Sequence, residues 1–338
     1  MLIKEMKKAI KTTLKSGLVP MMFGSPGLGK SDIVRSIAKS AGLKVIDLRL
    51  SQCDPCDMNG FPKLNGDKAT YLPMDTFPIE TDTVPEGYKG YLLFLDELNS
   101  ASKAVQASAY KLILDRQVGM HKLHPQCYII GAGNKDTDGA IVNTLSSALR
   151  SRFVSLELDS DPDSWLEWAT NNDLDYRVIS FIKHMPERLH RFDPSKINQT
   201  FACPRTWEMV SKMVKNIPDL SDDYVLPLLE GTVGGTAMEF ITFAEHAKDL
   251  PKVDDVIKGT AKKVTKIGEK YLITTLLSMQ ANSITTEEES KNVVDYLSSL
   301  GREYPIIWFK GACIRAPKVI SFKPVSERMI EDGVWITK

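Results

Sequence analysis

The sequence predicts an α/β domain with a parallel sheet, followed by a mostly helical region. Apolar, strand-forming runs alternate with amphipathic patterns through the first half of the chain, which is typical of a parallel α/β sheet. The predicted strands are residues 18–23, 44–50, 91–95, 127–132 and 153–157, and the predicted helices between them are 31–41 and 101–115. After Asp159 the pattern is mostly helical to about residue 300, and the tail from Tyr304 has no clear pattern.

An amphipathic helix is predicted before the first strand. Ile3, Met6, Ile10 and Leu14 recur at helical spacing, and Gly17 ends the pattern. This segment is basic, but no apolar secretory core follows it. It therefore predicts a helix of the folded protein rather than a signal peptide.

The composition predicts about two domains and gives no overall charge. The chain has 338 residues, of which 43% are hydrophobic, and its 43 basic residues balance 43 acidic ones. Zero net charge gives no global electrostatic reason to expect nucleic acid or an anionic membrane as partner, although it does not exclude a local basic patch. Five scattered cysteines suit a reducing compartment, and no run approaches the ~18 apolar residues of a membrane helix. We therefore expect a cytoplasmic protein without a membrane partner.

A glycine-rich segment after the first predicted strand indicates a nucleoside triphosphate ligand. Gly24 and Gly29 enclose four residues, and Lys30 and Ser31 follow, as in a phosphate-binding loop. Such a loop points backbone N–H groups at phosphate oxygens, while the lysine adds a charge and the hydroxyl a Mg²⁺ ligand. The alternative is a tight strand-to-helix turn without a ligand. The candidate ATP-binding residues are Gly24, Ser25, Pro26, Gly27, Leu28, Gly29, Lys30, Ser31 and Asp32.

Two further apolar runs end in polar side chains that suit ATP hydrolysis. The run at 92–95 ends in Asp96, which would hold Mg²⁺, and Glu97, which would act as general base toward water. The run at 128–132 leads to Asn134, whose amide can bridge the attacking water and the γ-phosphate. Many buried strands end in a charged turn, and asparagine often only caps a turn, so both simpler interpretations stay open.

Three arginines are candidates for contact with the γ-phosphate. Arg150 and Arg152 precede the fifth predicted strand, and an arginine there could reach a neighbouring subunit's γ-phosphate. Arg205 follows Pro204 at the start of a predicted helix and could point back toward the nucleotide. The simpler alternative is that all three are solvated surface residues.

Together these segments resemble the AAA+ ATPases, specifically the MoxR-like ones. The resemblance covers residues 1 to about 245 well and the remainder weakly. It rests on the ordered segments 24–31, 92–99, 130–134, 147–153 and 204–207, together with 48–52, 54–60, 105–107 and 190–194.

The resemblance implies a P-loop core with a doubly wound parallel sheet at residues 1–158, a helical lid at 159–245 and a mostly helical extension at 246–338. It implies a homo-oligomeric ring, usually of six subunits, that binds ATP and Mg²⁺ at subunit interfaces. It identifies Asn134 as sensor 1, Arg205 as sensor 2 and Arg152 as the arginine finger, with Arg150 as the alternate.

Two segments between the predicted strands could line a central pore. Asn59–Pro62, with Lys63 and Tyr71, lies where AAA+ rings commonly carry pore loops that grip a polypeptide. Arg116–Leu123 resembles a second hairpin that could face the pore. The alternative for the first segment is a surface hairpin packed by its own aromatic residues.

Two other patterns suggest chemistry that we do not expect here. Cys53 and Cys56 form a Cys-x-x-Cys pair, but a zinc site would need a second pair, for which His121 and His124 are the nearest candidates. A basic stripe could contact nucleic acid if one helix carried it, although a solvated face is the commoner outcome. Its members are Lys258, Lys262, Lys263, Lys266 and Lys270.

The predicted function is Mg²⁺-dependent ATP hydrolysis by a ring that remodels a protein client. MoxR-like ATPases typically act as chaperone-like remodellers, often with a protein that carries a von Willebrand factor A domain, so the resemblance also implies that partner. The alternatives are a nucleic-acid translocase, a chelatase-type metal-insertion subunit and a scaffold that binds nucleotide without hydrolysis.

Overall fold

The computed structural model describes residues 1–135, 145–196 and 199–333. Its contacts divide the chain into two compact units. The first comprises Met1–Ser160 with Phe192–Ile197, and the second comprises Asp161–Arg191 with Asn198–Lys338. The separation of a lid at 159–245 from an extension at 246–338 stays a prediction.

The first unit is built on a five-stranded parallel sheet, which confirms the predicted fold class. Its strands are β1 (Val19–Phe23), β2 (Leu43–Arg49), β5 (Gly90–Asp96), β8 (Cys127–Gly133) and β9 (Phe153–Glu157). They lie in the order β2-β5-β8-β1-β9. Gly131 in β8 lies opposite Met21 in β1 on one side and Leu95 in β5 on the other. All five predicted strands are confirmed.

In the described part of the first unit, five α-helices accompany the sheet: α1 (Ile3–Lys15), α2 (Lys30–Ala41), α3 (Pro55–Asn59), α4 (Lys103–Asp115) and α5 (Ser147–Arg150). The predicted helices are confirmed as α1, α2 and α4. The hydroxyl of Ser102 accepts a hydrogen bond from the Val105 N–H and caps α4. Helix α2 ends at Gly42, whose φ of +67° closes the helix in the left-handed conformation.

Alternate residues of β5 face two different hydrophobic cores. Leu92 and Phe94 pack in the core that includes α1 and α2, whereas Leu93 and Leu95 pack in the core that includes α4. Side chains alternate across a strand, so helices cover both faces of the sheet. Each of these buried side chains contributes about 1.5–3 kcal/mol. The sheet is therefore doubly wound, as the resemblance implies.

Among the described residues of the first unit, two short hairpins interrupt the α/β alternation. They consist of β3 (Phe61–Asn65) with β4 (Lys68–Leu72), and of β6 (Gln117–Val118) with β7 (His121–Lys122). At the base of the first hairpin Gly60 has a φ of +87°, and a Cβ there would lie 1.9 Å from the Leu72 carbonyl oxygen. Only glycine fits that position, so the entry to the hairpin is sterically fixed.

In the described residues, the regular secondary structure of the second unit is entirely helical, which confirms the predicted change after residue 159. Its α-helices are α6 (Pro162–Asn171), α7 (Tyr176–His184), α8 (Pro204–Val214), α9 (Val225–Val233), α10 (Thr236–Glu245), α11 (Val253–Ile257), α12 (Ile267–Met279), α13 (Glu287–Leu300), α14 (Glu303–Arg315) and α15 (Lys323–Glu331). One core contains Phe181, Trp207 and Phe240, and another contains Trp308 and Phe309. Over the described ranges, every helix is too short or too polar to cross a membrane.

The lysines that could have formed a basic stripe do not share one helix. Helix α11 ends at Ile257, and Gly259 takes a φ of +73°, which ends the helix. The lysines before residue 266 therefore lie in an irregular segment. Lys266 precedes α12 and pairs with Glu269 at 3.2 Å, while Lys270 lies inside α12. The spacing of four residues does not produce one basic face.

Candidate nucleotide site

The predicted site segments in the first unit meet at one edge of the parallel sheet. The glycine loop follows β1, Asp96 ends β5 and Asn134 follows β8. Strand β8 lies between β1 and β5, and parallel strands place their carboxyl ends at the same edge. Ligands of open α/β sheets bind at that edge. The fold therefore brings together three segments that are far apart in sequence.

Glycines shape the loop that leads into α2. Gly27 and Gly29 have φ values of +80° and +83°, which other residues adopt only at a cost. A Cβ on Gly24 would lie 3.2 Å from the Cβ of Leu158, and Leu28 is buried in the core. Because Gly29 has no side chain to cap α2, the first N–H groups of the helix face the loop with a partial positive charge of roughly half a unit. This arrangement suits an anion such as a phosphate.

The side chain of Lys30 links the loop to the end of β8. Its Nζ donates to the carbonyl oxygen of Gly24 at 2.6 Å and to that of Ser25 at 3.2 Å. It also donates to Oδ1 of Asn134 at 3.1 Å. The charged group and the predicted γ-phosphate sensor thus lie in direct contact.

Ser31 and Asp96 place two oxygen atoms side by side. The Ser31 hydroxyl donates to Oδ2 of Asp96 at 3.3 Å. Burial raises the pKa of the Asp96 carboxyl, although a hydrogen bond from the Glu97 N–H and the charge of Lys30 act in the opposite direction. Hydroxyl and carboxylate oxygens are ligands that Mg²⁺ prefers. The donor set therefore fits the metal that an ATP site requires.

Glu97 follows β5 in an unusual backbone conformation. Its φ is +56°, in the left-handed region, and such strain of about 1–3 kcal/mol is concentrated at functional sites. Its carboxylate accepts a hydrogen bond from the hydroxyl of Ser51. Ser51 comes just after β2, where Arg49 lies opposite Asp96, so the pairing of β2 with β5 explains why the two side chains meet.

Sequence comparison identifies the same region of the chain. Residues 20–158 match the family described as AAA, ATPase family associated with various cellular activities. The chain contains an AAA ATPase domain. ATPase is therefore its enzyme class, and the first unit has the AAA+ P-loop fold. The sequence matches none of the curated proteins at a significant level.

Similar solved structures include two AAA+ proteins at low identity. A point mutant of Thermotoga maritima RuvB shares 17% identity, with 99% of this chain and 90% of that chain covered and a TM-score of 0.36. NtrX from Brucella abortus shares 15% identity, with 88% of this chain and 67% of that chain covered and a TM-score of 0.42. At this similarity nothing about their activities transfers to this AAA domain.

The two candidate finger arginines lie away from the AAA domain's own phosphate loop. Arg152 directly precedes β9, and Phe153 lies opposite Val19 at the amino ends of β9 and β1. The loop starts at the other end of β1, roughly 13 Å along the strand. The Arg152 guanidinium lies 5.2 Å from the ring centre of Tyr110 on α4. Arg150 is the exposed last residue of α5.

Arg205 and Asp32 are the two remaining predicted site residues. Arg205 belongs to the second unit, where it is exposed in the first turn of α8 after Pro204, and its role as sensor 2 stays a prediction. Asp32 is exposed on α2 and pairs with Arg35 at 3.4 Å. Asp32 therefore contributes a surface ion pair, and its assignment as a nucleotide contact also stays a prediction.

Sequence reasoning missed two residues that hold the site of the AAA domain. Ser51 and Asn99 both lie in segments that carried the family resemblance, but neither had a role assigned. Ser51 contacts Glu97, and Asn99 contacts the backbone of Asn134. The only signal in the sequence was a polar residue beside a strand end, which is too common to identify a contact.

The cysteine pair of the AAA domain has ordinary local contacts. Cys53 Sγ donates to the Arg49 carbonyl oxygen at 3.3 Å, and Cys56 is an exposed free thiol. Burial and two nearby aspartates raise the pKa of the Cys53 thiol, which lowers its reactivity. Throughout the described residues, His, Cys, Asp and Glu side chains form no group of three that could hold a metal.

Proposed function

We propose that this chain is a Mg²⁺-dependent ATPase of the MoxR-like branch that works as a ring and remodels a protein client. The observation that carries the proposal is that one unit combines the candidate nucleotide site with a hairpin whose apolar side chains face solvent. The site would supply energy, and the hairpin would supply the surface that contacts the client.

The residues at the edge of the sheet divide the work of hydrolysis. Lys30 stabilises negative charge on the β- and γ-phosphates, and Glu97 accepts a proton from the attacking water. Asn134, next to Lys30, orients that water against the γ-phosphate. Ser31 and Asp96 would hold Mg²⁺, which neutralises phosphate charge when bound.

Two arginines complete the proposed site, one from a neighbouring subunit and one from the helical unit. Because Arg152 lies at the opposite edge of its own sheet, we assign it to the site of a neighbouring subunit, with Arg150 as the alternate. There it would stabilise the charge that develops on the γ-phosphate, a contribution of about 10³–10⁵ in kcat for such arginines. Arg205 would contact the nucleotide from the helical unit. A site that needs a neighbour's residue favours a homo-oligomeric ring.

The hairpin of β3 and β4 is the proposed client-binding element. Its residues are exposed on both faces, and the side chains of Phe61, Leu64 and Tyr71 are 55%, 82% and 45% exposed. The second hairpin packs beside it, because a Cβ on Gly119 would lie 3.2 Å from the Cβ of Tyr71, and its Met120 is 73% exposed. Phe61 lies opposite Leu72 on one face of the hairpin, whereas Leu64 and Tyr71 share the other face. Exposed apolar side chains of this kind mark interaction surfaces. A protein client fits this surface, and a von Willebrand factor A domain partner follows from the resemblance alone.

A nucleic-acid client has less support than a protein client. The lysines that could have formed a basic stripe lie largely in an irregular segment, and the net charge is zero. Non-specific nucleic-acid binding depends on clustered cations that displace counterions.

A capture experiment tests the proposed function. Glu97→Gln should bind MgATP without hydrolysing it and retain a protein client in a pull-down. Adding Phe61→Ser and Leu64→Ser to Glu97→Gln should abolish capture of the client. The same two hairpin substitutions in a protein that retains Glu97 should leave its ATPase rate unchanged. The matched control is Leu18→Ser, since Leu18 is also exposed (53%) in the same unit but outside the hairpin. Equal capture with and without the hairpin residues, or ATPase stimulation by DNA or RNA alone, would contradict the proposal.

A further inference from the structure

Asn99 is a buried amide between the ends of two central strands. It lies in the 3₁₀ turn Leu98–Ser100, two residues after Glu97, and is 1% exposed. A buried side-chain amide is costly unless its donor and acceptor are both satisfied. Its hydrogen bonds therefore show what the residue does.

Both polar atoms of the Asn99 amide bind the backbone of Asn134. Nδ2 donates to the Asn134 carbonyl oxygen at 2.8 Å, and Oδ1 accepts from the Asn134 N–H at 3.2 Å. The ladder between β5 and β8 runs as far as Leu95 and Gly131. Asn99 thus acts as an additional strand partner beyond the end of the ladder, and it fixes the backbone that carries the Asn134 side chain.

Position 133, directly before Asn134, has room only for glycine beside the Asn99 amide. A Cβ on Gly133 would lie 2.4 Å from Oδ1 of Asn99 and 3.0 Å from Cε of Met21. A side chain at position 133 would therefore push the Asn99 amide out of place. With the backbone held, Oδ1 of Asn134 lies 3.1 Å from Nζ of Lys30.

We propose that Asn99 is a positioning residue for ATP hydrolysis, which acts by fixing the backbone of Asn134 so that its side chain faces Lys30. The inference rests on the proposed role of Asn134 in hydrolysis. It adds that Glu97 and Asn134 are held in register, since the turn that follows Glu97 carries the amide that holds Asn134. Asn99 itself touches neither ATP nor water in this scheme.

A double-mutant cycle separates positioning from a merely structural role. Asn99→Ala should lower kcat about 10- to 100-fold, as expected for a misplaced catalytic group, and leave KM for ATP within about threefold. In the Asn134→Ala background the same substitution should change kcat less than about threefold, because the group that Asn99 positions is already gone. Gly133→Ala should reproduce the Asn99→Ala phenotype with both asparagines present. If Asn99→Ala does not fold, Asn99→Asp replaces it in the cycle, because it keeps the size of the side chain but replaces the Nδ2 donor by a charged acceptor oxygen.

The control is Gln106→Ala. Gln106 is another buried amide of the same unit, and its Nε2 donates to the Ala101 carbonyl oxygen at 3.2 Å. Its loss should leave kcat unchanged. Effects of Asn99→Ala and Asn134→Ala that multiply independently would overturn the inference and leave the role of Asn134 intact. A normal kcat in Asn134→Ala alone would overturn the proposed role of Asn134 and the inference with it.

Discussion

The side-chain oxygen of Asn134 lies 3.1 Å from Nζ of Lys30, although 104 positions separate the two residues in sequence. One belongs to the loop after β1 and the other follows β8, and the parallel pairing of these strands makes the contact. The charge proposed to bind phosphate and the amide proposed to sense the γ-phosphate therefore share one edge of the sheet. Their proposed roles differ, and substitutions can separate them.

Lys30→Met and Asn134→Ala should affect different steps. Lys30→Met removes the charge that binds the β- and γ-phosphates, so we expect ATP affinity to fall at least about 100-fold in a fluorescent-nucleotide titration. Asn134→Ala should keep the affinity for ATP within about threefold and should lower kcat about 10- to 100-fold. Lys39→Met is the control, since Lys39 lies in the last turn of α2. Equal loss of affinity in both site variants would contradict the division of roles.

Magnesium dependence tests the pairing of Ser31 with Asp96. Chelation of Mg²⁺ by EDTA should abolish ATP turnover. Ser31→Ala and Asp96→Asn each remove one proposed oxygen ligand and should raise the Mg²⁺ concentration for half-maximal activity about tenfold or more. Ser36→Ala is the control on the same helix, where the Ser36 hydroxyl accepts from Lys7 at 2.9 Å. An unchanged Mg²⁺ requirement in both site variants would place the metal elsewhere.

Mixed assemblies test the assignment of Arg152 to a neighbouring site. Arg152→Ala and Lys30→Met should each be inactive alone. Mixed together, they should recover part of the activity, because an Arg152→Ala subunit keeps its ATP site and takes an arginine from a Lys30→Met neighbour. The same mixture with Arg150→Ala identifies which arginine acts. Full activity of Arg152→Ala and Arg150→Ala alone would exclude a finger in either position.

Lys183 should make the stability of the second unit depend on pH. Burial, with a smaller contribution from the positive charge of Lys310, lowers the pKa of Lys183 from 10.5 to about 8. Its Nζ lies 3.5 Å from Oγ1 of Thr275 on α12. Between pH 8 and 10.5 the unfolded chain retains a proton that the folded state has lost, so the free energy of unfolding rises with pH.

Lys183→Met should remove that rise and stabilise the protein at pH 7 by about 1–3 kcal/mol, since a buried charge no longer has to be desolvated. Urea unfolding at several pH values measures the effect. The control is Lys212→Met, because Lys212 is 73% exposed and pairs with Glu208 on the surface. Parallel pH profiles for the wild type and Lys183→Met would show that the Lys183 ammonium is solvated.

The α/β half of the fold was predictable because its signals are local. Each strand is an apolar run that ends in a glycine or polar residue, and α1 shows its buried face in Met6 and Ile10. The phosphate loop was predictable for the same reason, since its glycines and Lys30 are contiguous.

The parts that sequence reasoning missed depend on tertiary contacts. The tail from residue 304 forms α14 and α15, and Trp308 and Phe309 of α14 lie in their hydrophobic core. The sequence of α14 has little amphipathic periodicity because much of this helix is buried. Asn99 could not be linked to Asn134 before the pairing of β5 with β8 was known.

The most direct test of the account is the steady-state ATPase rate of Glu97→Gln at saturating MgATP. The amide keeps the size of the side chain and its contact with Ser51 but cannot accept the proton from water. The account predicts a loss of kcat of about 100-fold or more with ATP affinity retained, and unchanged turnover in the control Glu86→Gln, which alters an exposed carboxylate of the same unit. Turnover by Glu97→Gln equal to that of the unaltered protein would contradict the assignment of Glu97 as general base and, with it, the proposed mechanism.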